Sequence, residues 1–309
     1  MEYRFGSVAI IGRPNAGKST LLNKILGQKV AITSNKPQTT RNRIVGIFTD
    51  DTMQAILVDT PGIHLATSRI NRSMVQVARN ATKDVDGICL VVDAHRAKER
   101  WPEDGQGVSP ALEHMAAIVE ECEGTPVTIV LNKIDKLEKP DLLPLMQGLH
   151  ERLSGAEVVP VSALKGTGVD VLTEIWRNML PEGPPMFPED QVMDGSERFL
   201  VAELIREKIF RSTHQEVPYG TAVEIEQFTE EEREDGIPFV EIYARILVER
   251  KSQKGILIGK QGSMLKKIGT SARKEISALL GAKVRLNLHV SVVTNWTDNA
   301  RMLQQFGIE

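Results

Sequence analysis

Gly12-Arg13-Pro14-Asn15-Ala16-Gly17-Lys18-Ser19-Thr20 stands between an apolar run at 7–11 and a helix-like run at 21–26. Glycines at both ends let successive backbone N–H groups curl around phosphate oxygens, and the helix that follows points its positive end at the same charge. The stretch therefore predicts a strand, a phosphate-binding loop and a helix. In that geometry Lys18 neutralises the β/γ-phosphates of a nucleotide and Ser19 is placed to ligate magnesium.

Four further segments sit where such a site needs them. Asp59-Thr60-Pro61-Gly62 ends the apolar run 55–58, where an aspartate reaches the magnesium shell and a glycine amide senses the γ-phosphate; alone it reads as an ordinary turn. Asn132-Lys133-Ile134-Asp135 ends the run 127–131, and the Asp135 carboxylate suits the two donors on the guanine edge. Adenine has no such pair, and a carboxylate left unpaired discriminates by roughly 10⁴ or more, so GTP is expected over ATP. Ser162-Ala163-Leu164 follows the short run 157–161; its backbone amides are expected to meet guanine O6, with Lys133 and Lys165 along the base. Between the first loop and Asp59 lies Pro37-Gln38-Thr39-Thr40-Arg41. There Thr40, with Thr39 as second candidate, is expected to complete magnesium coordination.

Apolar runs at 7–11, 44–48, 55–58, 87–92, 127–131 and 158–160 alternate with helical stretches, which predicts a doubly wound α/β sheet. Ligands bind such sheets at the carboxyl ends of strands, and Gly12, Asp59, Asn132 and Ser162 all lie just beyond them. The polar segment 94–110 reads as a solvated excursion with Trp101 as a packing anchor. Four prolines between 181 and 188 suit a semi-rigid spacer. The expected domains are 5–180, a linker at 181–196, a second domain at 197–293 and a closing helix or tail at 294–309.

At 309 residues, 41% apolar and 26% charged, the chain supports two cored domains and excludes a disordered one. A net charge of −3 excludes bulk electrostatics as a route to nucleic acid, so a basic surface must be local. No run approaches the roughly 18 apolar residues of a membrane span, and residues 1–5 lack a signal-peptide core; a cytoplasmic protein is expected. Cys89 and Cys122 read as packing residues.

In the second domain charge is segregated. Residues 224–241 hold eight acids against Arg233, whereas residues 245–285 hold eleven Lys and Arg against Glu249 and Glu275. The basic run is organised around Gly255-Ile256-Leu257-Ile258-Gly259-Lys260-Gln261-Gly262 and a following helix with Lys266, Lys267, Arg273 and Lys274. A G-x-x-G turn between an apolar, strand-like run and a basic helix clamps single-stranded RNA: glycines admit phosphates, and apolar side chains such as Ile256 and Ile258 support bases. The expected order is helix 197–212, strands 221–227 and 239–248, the glycine loop, helix 263–280, strand 283–293 and a last helix 297–306, an α+β arrangement of type II KH kind. The acidic tip 230–235 reads as a solvated turn.

Together these motifs resemble the Era-type family of bacterial ribosome-assembly GTPases, which carry a C-terminal type II KH domain. The resemblance runs almost end to end. It implies a P-loop GTPase domain followed by a smaller KH domain, binding of GTP and GDP with Mg2+, and slow hydrolysis of GTP to GDP and phosphate. It further implies recognition of the 3′ end of 16S rRNA during 30S subunit assembly, and peripheral contact with the inner membrane; a monomer is expected. Many GTPases orient water with a glutamine after D-x-x-G, but here Gly62 is followed by Ile63 and His64. That resembles GTPases in which K+, held partly by the P-loop asparagine, supplies transition-state charge, which makes Asn15 the candidate ligand beside Lys18, Thr40 and Gly62. The implied mechanism is a switch in which GTP orders Thr39, Thr40 and the segment 59–80, and the RNA domain responds. Two other readings stand beside it: a P-loop ATPase acting on RNA, which has no reason to carry Asn132-Lys133-Ile134-Asp135, and a non-hydrolysing RNA-binding scaffold, for which Ile63 speaks.

Overall fold

The computed structural model describes every residue except 1, 35, 37, 38, 64–68, 102–108, 123, 215, 233–235 and 309, and, in one helix, the side chain of residue 111. Pro37, Gln38, His64 and parts of the 94–110 segment and the acidic tip thus lie outside the described residues. The chain divides into two compact units, Met1–Ala31 with Thr40–Asp194, and Ile32–Thr39 with Gly195–Glu309.

The first unit is built on β1 (Arg4–Gly12), whose Val8, Ala9, Ile10 and Ile11 are all fully buried. An uninterrupted apolar strand has covered faces on both sides, which is the signature of a central parallel strand. It pairs in parallel with β3 (Met53–Asp59) and β4 (Gly87–Asp93), and β5 (Val127–Asn132) and β6 (Glu157–Val161) continue the parallel set. Strand β2 (Ile44–Thr49) runs antiparallel to β3. Register aligns the carboxyl ends: Ile10 lies opposite Asp59, Gly12 opposite Val91, Asp93 opposite Asn132, and Asn132 opposite Val161. Around the sheet run α1 (Lys18–Leu26), α2 (Arg69–Asn80), α3 (Ala94–Glu99), α4 (Pro110–Glu120), α5 (Lys139–Arg152) and α6 (Val169–Met179). Their apolar residues recur at helical spacing, as with Leu145 and Leu149 or Leu172 and Trp176, so each presents one stripe to the core.

Two segments differ from expectation. The stretch read as a spacer runs along the first unit and ends in β7 (Met193–Asp194), which pairs with Gly46 and Val45 of β2. Its anchor is the fully buried Gln54, whose Oε1 accepts from Met186 N and Phe187 N at 2.7 and 2.9 Å while its Nε2 donates to Phe187 O at 2.9 Å. Residues 94–99, read as part of a loop, form α3 because the Asp93 side chain caps its first turn by accepting from Arg96 N. Trp101 packs over Gly148, where a Cβ would come within 2.3 Å of its ring.

The second unit opens with α7 (Glu197–Ser212), capped by Ser196. Strands β8 (Ala222–Glu232) and β9 (Pro238–Val248) form an antiparallel pair, and β10 (Lys283–Val292) joins β9 in parallel. Helix α9 (Ser263–Leu280) buries Ile268, Ala272 and Ile276 at four-residue spacing in a core shared with α7 and the sheet. Residues 255–258, expected as strand-like, are the end of α8 (Lys251–Ile258). The Gln253 side chain accepts from Glu249 N and Arg250 N, fixing a helix start, and the buried face of that helix is Gln253 and Leu257. The final helix is broken: a 3₁₀ turn at Trp296–Asp298 precedes α10 (Ala300–Gln305), because Asn299 caps the latter. Trp296 is fully buried and donates to Gly220 O at 3.0 Å.

Candidate nucleotide site and RNA face

At the carboxyl end of β1 the chain turns through Asn15 at φ 64° and enters α1, whose first turn has no side-chain cap. Its leading amides are therefore open to an anion, as a phosphate cradle requires. Lys18 is buried and its Nζ donates to Gly12 O and Arg13 O at 3.2 and 3.4 Å. Gly62 lies against the same loop, where a Cβ would come within 2.6 Å of Pro14 N.

Three oxygen-bearing side chains converge beside Lys18. Ser19 Oγ donates to Asp59 Oδ2 at 2.7 Å and lies 2.8 Å from Thr40 Oγ1, which itself reaches Asp59 Oδ2 at 3.4 Å. Thr39, the second candidate, turns its hydroxyl to Lys36 O at 2.9 Å. Asp59 is fully buried, and among the described residues its Oδ1 has no hydrogen-bond partner. Burial pushes its carboxyl up from the usual range, only partly offset by Lys18; burial likewise pulls Lys18 down. A carboxylate desolvated with one oxygen unsatisfied, beside two hydroxyls, is a hard donor set that fits a magnesium ion.

The base end is assembled from β5 and β6. Asn132 Nδ2 donates to Ala16 O at 2.8 Å, and its Oδ1 accepts from Lys133 N and Ala163 N. Asn132 is thus a brace between the phosphate loop and the base loops. Lys133 Nζ donates to Asn15 O and Asp93 Oδ2, both at 2.6 Å. Asp135 Oδ1 accepts from Ser162 Oγ at 2.6 Å.

Two expectations are modified, and one residue is added. Ile63, counted among the nucleotide contacts, is 1% exposed within the hydrophobic core, and its N–H donates to Gly12 O. The amides of Ser162 and Ala163, expected to face guanine O6, donate inside the protein to Thr167 O and Asn132 Oδ1, while Leu164 is exposed. Asp93 was missed; a lone aspartate at a strand end carries no signal until Lys133 is seen against it. Thr60, by contrast, bonds Ile10 O and serves the turn, and Pro61 and Ile134 sit in the two strand-end turns.

In the second unit, Gly259 adopts φ 71° and ψ 177°, a region only glycine visits freely, and a Cβ there would fall 2.8 Å from Met264 Cβ. The 3₁₀ turn Lys260–Gly262 then leads into α9, whose first turn is uncapped. Beside it lies a groove of about 1250 Å³ lined by Lys266, Arg273 and Lys274 of α9 and by Lys283 and Arg285 of β10, over an apolar floor that includes Phe239, Leu265 and Leu288. No described ion pair engages Lys266, Arg273 or Lys274. Lys267, Lys260, Gln261, Ile256 and Ile258 lie outside this groove; Ile256 is exposed on α8 and Ile258 packs on the core. Lys283 and Arg285, counted in the basic run but not named as RNA contacts, point outward from β10.

Residues 7–133 match a family described as 50S ribosome-binding GTPase, and residues 216–297 match the KH domain. GTPase Era of Geotalea uraniireducens is 51% identical over 308 residues, covering 100% of this chain and 99% of that protein. GTPase Era of Pseudomonas aeruginosa is 48% identical, covering 98% and 95%. Among solved structures, an Aquifex aeolicus Era variant bound to GDP and aluminium fluoride superposes with a TM-score of 0.89 at 38% identity, covering 99% of each chain. The same values hold for Era in complex with MgGDPNP and nucleotides 1506–1542 of 16S ribosomal RNA. With half of its residues identical along its whole length to such relatives, and with both units matched, the chain belongs to the Era family of GTPases.

Proposed function

We propose that this GTPase binds GTP through Lys18 and the amides at the start of α1, with Ser19, Thr40 and Asp59 holding magnesium, and that its groove on α9 and β10 takes the 3′ end of 16S rRNA during 30S assembly. The observation that carries the nucleotide half is the convergence of Ser19, Thr40 and the half-unpartnered Asp59 carboxylate beside buried Lys18. Magnesium bound there would neutralise charge on the β- and γ-phosphates. Lys18 binds and orients those phosphates, Gly62 leaves room at the phosphate loop, and Asp135, held by Ser162, selects guanine. The RNA half is supported by five cations on one apolar-floored groove and by the small-subunit RNA present in the Era complex. In that role the protein acts as a monomer. No residue is assigned to the inner-membrane contact; among the described residues no helix is long and apolar enough to cross a membrane.

Titration of fluorescent GTP and ATP analogues, with and without RNA of the 16S 3′ end, tests this reading. Guanine-selective binding together with RNA binding is expected; ATP binding equal to GTP overturns the nucleotide half. Neutralising Lys266 and Arg273 together as glutamines is expected to leave GTP binding intact while flattening the salt dependence of RNA affinity by about 0.7 log units per lost phosphate contact. An unchanged salt slope would place the RNA elsewhere.

Ile63 is packed in the core and holds no water, so transition-state charge must come from another group. Asn15, at φ 64° on the phosphate loop, is the proposed K+ ligand. Turnover in K+ is expected to exceed that in Na+ by roughly tenfold, the scale of about 1.4 kcal/mol, and Asn15→Ala is expected to abolish the difference. Equal rates in both salts would remove K+ from the mechanism.

A further inference from the structure

A small cavity opens in the first unit between the end of β4, helices α3 and α4, and the phosphate loop. Its volume is about 50 Å³. The walls are apolar: Leu90 and Val92 of β4, Ala97 of α3, and Leu112 and Met115 of α4 are all buried, and the half-buried Trp101 stands beside them. Close-packed interiors leave few voids larger than a water molecule. None of Lys18, Ser19, Asp59, Asn132 or Asp135 lines this one, so it is not the cleft described above.

Three exposed arginines, Arg13, Arg96 and Arg100, complete the lining. Desolvation, and then the fields of Arg100 and Arg96, pull the Arg13 guanidinium below its ordinary value, so the three charges act on one another. One carboxylate lies among them, that of Asp93, and it is already engaged. Its Oδ2 accepts from Lys133 Nζ at 2.6 Å and stands 3.9 Å from Arg96 Nε, while its Oδ1 accepts from Arg96 N. Among the described residues, neither Arg13 nor Arg100 has an ion-pair partner. A guanidinium presents a planar set of N–H donors that matches a carboxylate, and charge-assisted hydrogen bonds of that kind are the strong ones.

The cavity therefore asks for two things at once, an apolar body inside and an anionic group at its arginines. Size bounds the body: a water takes about 10–15 Å³ of such volume, so 50 Å³ admits roughly four atoms of comparable size.

We propose that this cavity is a binding site for a short organic anion, its branched alkyl end among Leu90, Val92, Leu112 and Met115 and its carboxylate on Arg13 and Arg100. Because Arg13 and Pro14 belong to the phosphate loop and line the cavity, an occupant touches that loop while leaving the nucleotide in place.

The test titrates isovalerate into the full-length protein saturated with GDP, with calorimetry for affinity and tryptophan fluorescence for location. Trp101 is the tryptophan that lines the cavity, whereas Trp176 and Trp296 are fully buried elsewhere. Saturable binding with a change in Trp101 emission is expected. Isovaleramide, which keeps the shape and loses the charge, is expected to bind roughly tenfold more weakly. Each buried carbon contributes about fourfold, so acetate, with three carbons fewer, is expected to bind roughly fiftyfold more weakly. Ala97→Leu, which fills the cavity, should abolish binding. Arg100→Gln should weaken isovalerate about tenfold and leave isovaleramide as it was, a distinction that lost packing would not make. Should Ala97→Leu fail to fold, Arg100→Gln decides alone. The site is overturned if the wild type shows no saturable binding, if acid and amide bind equally, if a folded Ala97→Leu or Arg100→Gln variant binds isovalerate as the wild type does, or if isovalerate expels GDP.

Discussion

Asp135→Asn is expected to weaken GTP binding by roughly 10⁴, the scale seen where a site built to pair polar groups meets a mismatched partner. A carboxylate only accepts, and guanine presents two donors on the edge it would meet; an amide puts a donor against them. The Ser162 hydroxyl, donating to Oδ1 at 2.6 Å, fixes the carboxylate in place, so the substituted amide has little freedom to turn its oxygen to both donors. Xanthine carries a carbonyl where guanine carries its amine, and xanthosine triphosphate is expected to bind the variant better than GTP does. Competition between the two nucleotides measures this. A variant that keeps the wild-type preference for GTP would remove Asp135 from base reading.

Lys18→Ala is expected to lower GTP affinity by roughly 10²–10⁴, since removing one partner of a buried charge pair costs about 3–5 kcal/mol. The variant also leaves the fully buried Asp59 without the cation that offsets its desolvation. The carboxyl then stays protonated in the folded state at pH values where the unfolded chain has already lost the proton. Stability is therefore expected to fall as pH rises from about 4, the unfolded value, through the raised folded one. Thermal melting across pH reads the second effect and nucleotide titration the first. GTP binding within tenfold of the wild type would show that the helix amides suffice.

The strand ends were legible because a parallel sheet covered on both faces needs uninterrupted apolar strands, and those runs stop where polar motifs begin. That placed Ser19 and Asp59 at one end of the sheet, whereas Thr40 and Thr39 are told apart only by where their hydroxyls turn. What the sequence hid depends on single backbone bonds. The strand-like look of Ile256, Leu257 and Ile258 comes from apolar content, whereas their conformation is set upstream by Gln253 capping the backbone at Glu249 and Arg250. Asn132 looked like a base contact because its position follows a strand; its amide is spent on Ala16, Lys133 and Ala163, which only the fold brings together. Lys283 and Arg285 counted in the basic run, but only the fold, which lays β10 beside α9, puts them in one groove with Lys266, Arg273 and Lys274.

The short pairing of Met193 and Asp194 with Gly46 and Val45 has a consequence for how the first unit is kept apart from its own copies. Strand β2 is the last strand of the sheet before β7, and an open edge offers its unpaired backbone groups to any passing strand. The stretch pinned by Gln54 covers that edge, with Val192 O also accepting from Ile47 N at 2.9 Å. A fragment ending at Leu180 would keep the nucleotide motifs and lose the cover, leaving a sticky rim along which such fragments would join into aggregates.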